Sequence, residues 1–375
     1  MPATASLTKR VFRLGEADSW YTSACWQISR QTFSLAIFSF SFSLEPRMKH
    51  DLIARRTLLA ATASLLAPFP LAHAQAGFPE KPIRLVVPFS AGGGTDILGR
   101  LLARAMSLSL GQQVVVDNVT GAGGVIGALQ VARAAKDGYT LMIGTPGSIQ
   151  INPAMQPDIK YNVDKDFLPV SQFSDSATVL VVNKDSPWKT VQELIAAARE
   201  KPGALNYGSA GVGSFAHFSG EMFLMQAGVK MTHVPYRGTA QAIADLRAGI
   251  LQVEFENLPG VLPLVKDQQL RALAVGSTRR SSFLPDLPTV IEAGVKGYES
   301  SSWTGLFAPV GLPAPVLARL EKAAADAARD PEVLKALKEL GAEPVGSRSA
   351  EFAAFLARRR PAVVETVAAS GMGAK

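Results

Sequence analysis

From Phe78 onward, short apolar runs of β character alternate with stretches of helical spacing. That alternation confines the chain to an α/β fold with largely parallel sheets. The spacing predicts strands at Pro82–Phe89, Val114–Asp117, Tyr139–Thr145, Phe167–Phe173, Val179–Asn183, Leu205–Ser209, Thr232–Tyr236, Gln252–Asn257, Arg271–Gly276 and Ser302–Pro309. Helices are expected between them, and the tail reads as helical over Val316–Arg329, Glu332–Leu340 and Ser349–Ala368. A middle segment flanked by two pieces of a first domain requires two crossing strands, expected near Val179–Asn183 and Trp303–Phe307. Residues 77–178 and 303–375 would then form one lobe and residues 179–302 the other.

Two strand-to-helix turns are rich in glycine. In the first, Pro88 ends an apolar run, Phe89-Ser90-Ala91-Gly92-Gly93-Gly94 follows, and Thr95 or Asp96 is placed to cap a helix that Gly111 stops. In the second, Ser209-Ala210-Gly211-Val212-Gly213 leads to Ser214, the expected cap of a helix burying Phe215, Phe218, Met222 and Met225. A glycine turn that opens a helix leaves main-chain N–H groups unpaired at the positive end of the macrodipole, which favours an anion. Neither turn contains Lys or Arg, so a bound charge would be held by amides, hydroxyls and dipoles. That suits a small carboxylate better than a polyphosphate, which calls for cationic clamps.

Charge and cysteine content narrow the classes. The chain of 375 residues carries a net charge of +7, but its first 76 residues hold eight basic and four acidic side chains, leaving 30 against 27. A nucleic-acid footprint is not supported. The early basic excess belongs to a processing signal: Lys49, Arg55 and Arg56, then the apolar run Leu58–Ala67, then Ala72-His73-Ala74-Gln75-Ala76. Residues 48–76 are read as a secretory signal peptide, Sec-type or twin-arginine, with Met48 as the start and residues 1–47 as an upstream extension foreign to the protein, the alternative being a genuine extension that carries a short anchor. The lone cysteine, Cys25, falls in that extension, and His217 and His233 are the only histidines after residue 76. Zinc and Ser-His or Cys-His chemistry are therefore poorly supplied, and no cofactor or metal is expected. The competing enzyme reading rests on Gly211–Ala216, which satisfies G-x-G-x-x-A after a strand. The next strand, Thr232–Tyr236, ends without the acid that a dinucleotide ribose needs.

The stretch Pro88–Asp96 resembles the first ligand loop of the tripartite tricarboxylate transporter receptors, the Bug family. Gly121–Gly124, Asp137–Leu141, Asn206–Ser214, Val234–Gly238, Asn257-Leu258-Pro259 and Leu284–Thr289 match further family stretches in the same order. Thr120, Val125 and Glu256 depart from the residues common there (Pro, Asn and Asp). The resemblance implies a type II periplasmic binding protein fold, α/β in both lobes, closing like a flytrap on a carboxylated solute. It implies a monomeric, periplasmic protein that passes its solute to membrane components of a tripartite tricarboxylate-type transporter or a sensor. Ligand contacts are expected from Phe89, Ser90, Ala91, Gly92, Gly93, Thr95 and Asp96 in the first loop. Others are expected from Ser209, Ala210, Gly211, Gly213, Ser214 and His217 in the second, and from Thr145, Ser148, Tyr236, Gly238 and Glu256 at strand ends. Asp96 is read as ordering its loop, Arg237 as a solvated turn residue, and Trp188 and Trp303 as hinge or core packing.

Overall fold

The structure, a computed structural model, describes residues 77–373; the expected signal peptide and upstream extension lie outside the described residues. The chain runs β1 (Ile83–Val87), α1 (Gly94–Leu110), β2 (Val114–Asn118), α2 (Val125–Ala132) and β3 (Thr140–Gly144). Two short helices follow, α3 (Asn152–Met155) and α4 (Val163–Asp166), and then the long strand β4 (Phe167–Asn183). Next come α5 (Val191–Glu200), β5 (Asn206–Ser209), α6 (Phe215–Ala227), β6 (Thr232–Pro235), α7 (Thr239–Arg247), β7 (Val253–Asn257), α8 (Leu258–Lys266) and β8 (Leu270–Val275). The chain closes with β9 (Ser301–Pro309), α9 (Ala314–Ala327), α10 (Pro331–Leu340), β10 (Ala342–Pro344) and α11 (Ser349–Ser370).

These strands make two sheet sections that share β4. The first has the order β2-β1-β3-β9-β4 with β10 also on β4; the second runs β4-β7-β5-β6 with β8 also on β4. Strands joined through helices pair in parallel, β1 with β2 and β3, and β5 with β6 and β7. Around β4 and β9 every pairing is antiparallel, so the sheets are mixed rather than largely parallel. The physical reason is that β4 carries the chain out of the first section and β9 brings it back in the opposite sense.

Strand β4 is one 17-residue element where the sequence suggests two. Its polar middle, Ser174-Asp175-Ser176, reads as a break, but bulges near Pro169 and Gln172 keep the pairing with β9 continuous across it. Through Ala177 β4 pairs with β9, and from Thr178 it pairs with β7 and β8. The change of partner thus comes just before Val179–Asn183. Trp303–Phe307 lies wholly within the first section, and Ser300, bonded to Gly276 and Thr178, marks the return.

Helices cover both faces of each section. Leu98, Leu102 and Met106 of α1 pack with Leu320 and Leu337 on one side of the first; Phe352 and Leu356 of α11 pack with Trp303 and Phe307 on the other. In β4, Leu180 and Val182 join the cluster of Phe218, Phe223 and Phe255, while Val179 and Val181 face α7 and α8. A strand buried on both faces must be apolar throughout, which is why residues 179–182 show no alternation. Val363 and Val367 of α11 belong to the second section's cluster, so this helix is shared between the two.

Candidate functional site

The parallel strands of both sections end at the same place. Loops from β1 and β3 meet loops from β5, β6 and β7, the position at which open α/β sheets bind ligands. Side-chain-free residues allow the approach. A Cβ on Gly93 would stand 2.7 Å from Thr239 Oγ1, and one on Gly94 3.0 Å from the Gly260 nitrogen. Gly123 lies against the Val212 carbonyl, and Gly238 against Ser90. Asn152 pins this junction: its Nδ2 donates to the carbonyls of Gly123 (3.1 Å), Gly147 (3.0 Å) and Gly213 (3.1 Å).

Between the loops is a cavity of about 30 Å³, lined by Phe89, Gly93, Thr95, Thr145, Phe215, Ala216, Thr239, Phe255, Glu256 and Asn257. Four helices begin on it. Gly93, Ser214, Gly238 and Asn257 are the N-caps of α1, α6, α7 and α8, and only Ser214 caps its helix with a side chain. The other three leave first-turn N–H groups without a side-chain partner, at the positive ends of four converging macrodipoles. No lysine or arginine is in the lining.

Of the eighteen residues expected from sequence, Phe89, Gly93, Thr95, Thr145 and Glu256 line this cavity. Several others build the loops instead. Asp96 does not cap α1; it sits in the first turn behind Gly93, 2 % exposed, and accepts from the Gly92 N–H (2.9 Å), Arg100 Nε (2.9 Å) and Asn118 Nδ2 (2.8 Å). Burial alone would raise its pKa, but Arg100, the Gly92 amide and Asn118 together hold it below the usual aspartate range. Ser148 donates to the Thr145 carbonyl (3.3 Å), and Ser209 bonds Gly211 and the His233 ring. His217 accepts the Gly213 N–H at Nδ1 (3.2 Å) and stacks on His233 at 4.0 Å, so its ring braces the second loop and does not line the cavity. Tyr236 donates to Asp245 (2.7 Å), Gly211 packs on Gly123, and Gly213 lies against Asn152. Ser90 is packed against Gly238, while Ala91 and Gly92 are exposed and Ala210 is buried. Arg237 is exposed, Met225 is 40 % exposed on a helix expected to bury it, and Trp303 is core, donating to Gln150 Oε1 (3.3 Å).

Sequence reasoning missed Thr239, Phe215, Ala216, Phe255 and Asn257 as lining, and Asn152 as the pin. Thr239 and Asn257 were legible as residues at helix starts after strands. Asn152 carried no signal, because the three carbonyls it joins are distant in sequence.

The sequence profile described as "Tripartite tricarboxylate transporter family receptor" matches residues 98–368. The chain belongs to the tripartite tricarboxylate transporter receptor family. Solved structures agree. The receptor is 33% identical to the periplasmic binding protein BugD, covering 79% of this chain and 99% of that one with a TM-score of 0.76. Rpa4515 of R. palustris, solved with adipate, is 37% identical over 78% of this chain and 98% of its own, with a TM-score of 0.76. MatC (Rpa3494) of Rhodopseudomonas palustris, with bound malate, is 32% identical over 77% and 100%, with a TM-score of 0.75. The fold is that of the periplasmic binding proteins, and the receptor is a solute-binding protein, not an enzyme. Gly211–Ala216 accordingly leads into helix α6 of a solute-binding protein and is not the dinucleotide loop of an enzyme. Among the described residues no cluster could hold a metal ion, and no helix is long and apolar enough to cross a membrane.

Proposed function

We propose that this receptor is exported to the periplasm, captures a small carboxylate between its two sheet sections, and hands it to membrane components of a tripartite tricarboxylate-type transporter or a sensor. The two lobes are residues 77–178 with 303–375 and residues 179–302, joined by β4 and the chain entering β9. The change in β4's partners at Thr178 supports that division.

The observation that carries the reading is the convergence of four helix N-termini on a cavity with no basic side chain. Each helix end favours an anion by about 0.3–1 kcal/mol when exposed and up to about 2 kcal/mol when partly buried. Enclosure strengthens all four by excluding water. The cavity of about 30 Å³ has room for one carboxylate group or two waters. A whole dicarboxylate needs more room than this, and in the proposed cycle the sections part to admit it and close around it. The relatives solved with adipate and malate support a carboxylate as the occupant.

Isothermal titration with dicarboxylates, tricarboxylates, acidic amino acids, aromatic acids and nicotinate-like acids tests this. Saturable binding by at least one acid, lost in the corresponding amide or alcohol, is expected. Absence of heat across the panel overturns it.

A further inference from the structure

Glu254 and Glu256 stand two apart on β7, so their side chains leave the same face of the strand. They are 0 % and 3 % exposed, and Glu254 Oε1 and Oε2 and Glu256 Oε2 have no hydrogen-bond partner among the described residues. Neither forms an ion pair there. Buried carboxylates left unpaired are costly, so such a pair calls for a reason. Their positions differ. Glu254 is enclosed in the second section, opposite Val181 and Gly208, whereas Glu256 is part of the cavity wall beside Gly260 at the start of α8.

The titratable groups around Glu256 are few. On its own strand there is Glu254, beyond which Tyr236 and Asp245 of α7 form a hydrogen-bonded pair. The first turns of α6, α7 and α8 carry no acid; that of α1 carries Asp96, already neutralised by Arg100. Closing this cavity on a solute carboxylate places an acid group against Glu256, with Glu254 a further buried carboxylate two residues back on the same strand. Such groups cannot all be ionised at contact distance in a water-excluding site.

We propose that Glu256 enters the closed site as a neutral acid, keeps its proton and donates a hydrogen bond to an oxygen of the bound carboxylate, so that capture of the solute takes up one proton from solvent. The inference rests on the carboxylate reading given above. With the sections parted, Glu256 faces water and is ionised. On closure a solvent proton joins its carboxylate, no other bond changes, and the O–H···O⁻ contact replaces a repulsion. Burial pushes Glu256 up to about 8 against the opposing pull of the Asn257 amide, and burial with Glu256's charge raises Glu254 well above its ordinary value. A group whose pKa rises on closure favours the closed form at low pH and opposes it as pH climbs from the ordinary carboxylate range to about 8.

Titration calorimetry with adipate, malate or the tightest acid of the panel, in two buffers of different ionisation enthalpy near neutrality, counts the proton. About one proton taken up per ligand is expected, with Kd rising up to about tenfold per pH unit from roughly pH 6.5 to 8. Glu256→Gln, whose amide donates but does not titrate, flattens that slope; Glu254→Gln keeps it. Binding without proton uptake, with proton release as a ligand ammonium would cause, or with an unchanged slope in Glu256→Gln overturns the proposal. The wild-type proton count stands whether or not the variants fold. If no acid binds at any pH, the carboxylate reading itself fails and this inference falls with it; binding without a proton overturns the inference alone.

Discussion

At the scale of single residues, the site depends on what is absent as much as on what is present. Gly93 has an ordinary φ of −81°, so a side chain there is barred by space and not by backbone strain. Its Cβ would meet Thr239 Oγ1 at 2.7 Å, inside the cavity. Gly93→Val is therefore expected to weaken binding by about 1–3 kcal/mol, roughly 5- to 150-fold in Kd, while the melting temperature of the free protein changes little. Unchanged affinity would show that this turn does not seat the anion. Asn152→Ala acts differently, because it deprives three carbonyls from both sections of one shared donor. A cost of about 1–3 kcal/mol is expected, and calorimetric melting checks it. A variant as stable as the wild type would mean that water replaces the amide fully. Asp96 supplies a pH dependence of the opposite sign from Glu256. Its pKa is held down by Arg100, Gly92 and Asn118, so the stability it lends the first loop is present above the ordinary aspartate value and is lost as pH falls through the depressed one. Asp96→Asn should remove that acid-side loss, read as a flatter melting profile below about pH 4.

The elements explain how much could be read in advance. Both glycine turns, the Ser214 cap and the Gly111 stop were legible because each is local chemistry: a residue type, a backbone angle, a missing donor. The continuity of β4 was hidden, since Ser174 and Ser176 look like a loop until the hydrogen-bonded partners of β9 are known to be beside them. The expected cap at Thr95 or Asp96 failed by one turn's geometry: with the glycine turn so tight, Gly93 takes the cap position and Asp96 reaches back to Gly92. Tyr236, expected at the ligand, also donates to Asp245, and His217, likewise expected there, also accepts from Gly213. Those partnerships are set by tertiary packing that no spacing encodes. The collective role of α1, α6, α7 and α8 yields its own prediction. Dipoles and amides enclosed in a closed cavity are screened by salt far less than surface lysines are. Raising ionic strength from about 0.05 to about 0.5 M should change Kd for adipate by no more than about threefold. A steep salt dependence in titration would point to unrecognised surface cations as the main attraction.

At the scale of the molecule, the proposed flytrap cycle has two states, one that admits the solute and one that surrounds it. A ligand shifts their balance only through its higher affinity for the closed one. Glycine-to-loop contacts run across the two sections, and Gly238 offers a way to oppose the proposed closed form. Its φ of 167° is extended backbone that any residue adopts, so a substitution strains nothing when the sections are apart. With the sections together its Cβ would overlap the Ser90 side chain and stand 2.8 Å from the Ser90 nitrogen. Gly238→Val should therefore favour the open state without unfolding either section. For the wild type, saturating adipate should reduce the radius of gyration in small-angle X-ray scattering. At a hundred times Kd it should also stabilise the fold by about 2.7 kcal/mol, or roughly 5–10 °C in melting temperature. The variant should show neither the compaction nor the full thermal shift, yet melt close to the wild type when free. Equal compaction in both proteins would mean that Gly238 and Ser90 separate without cost and that closure is governed elsewhere. A wild type that binds adipate tightly with no change in dimensions would mean that the two sections do not move apart at all, and that the solute reaches its seat by loop motion alone.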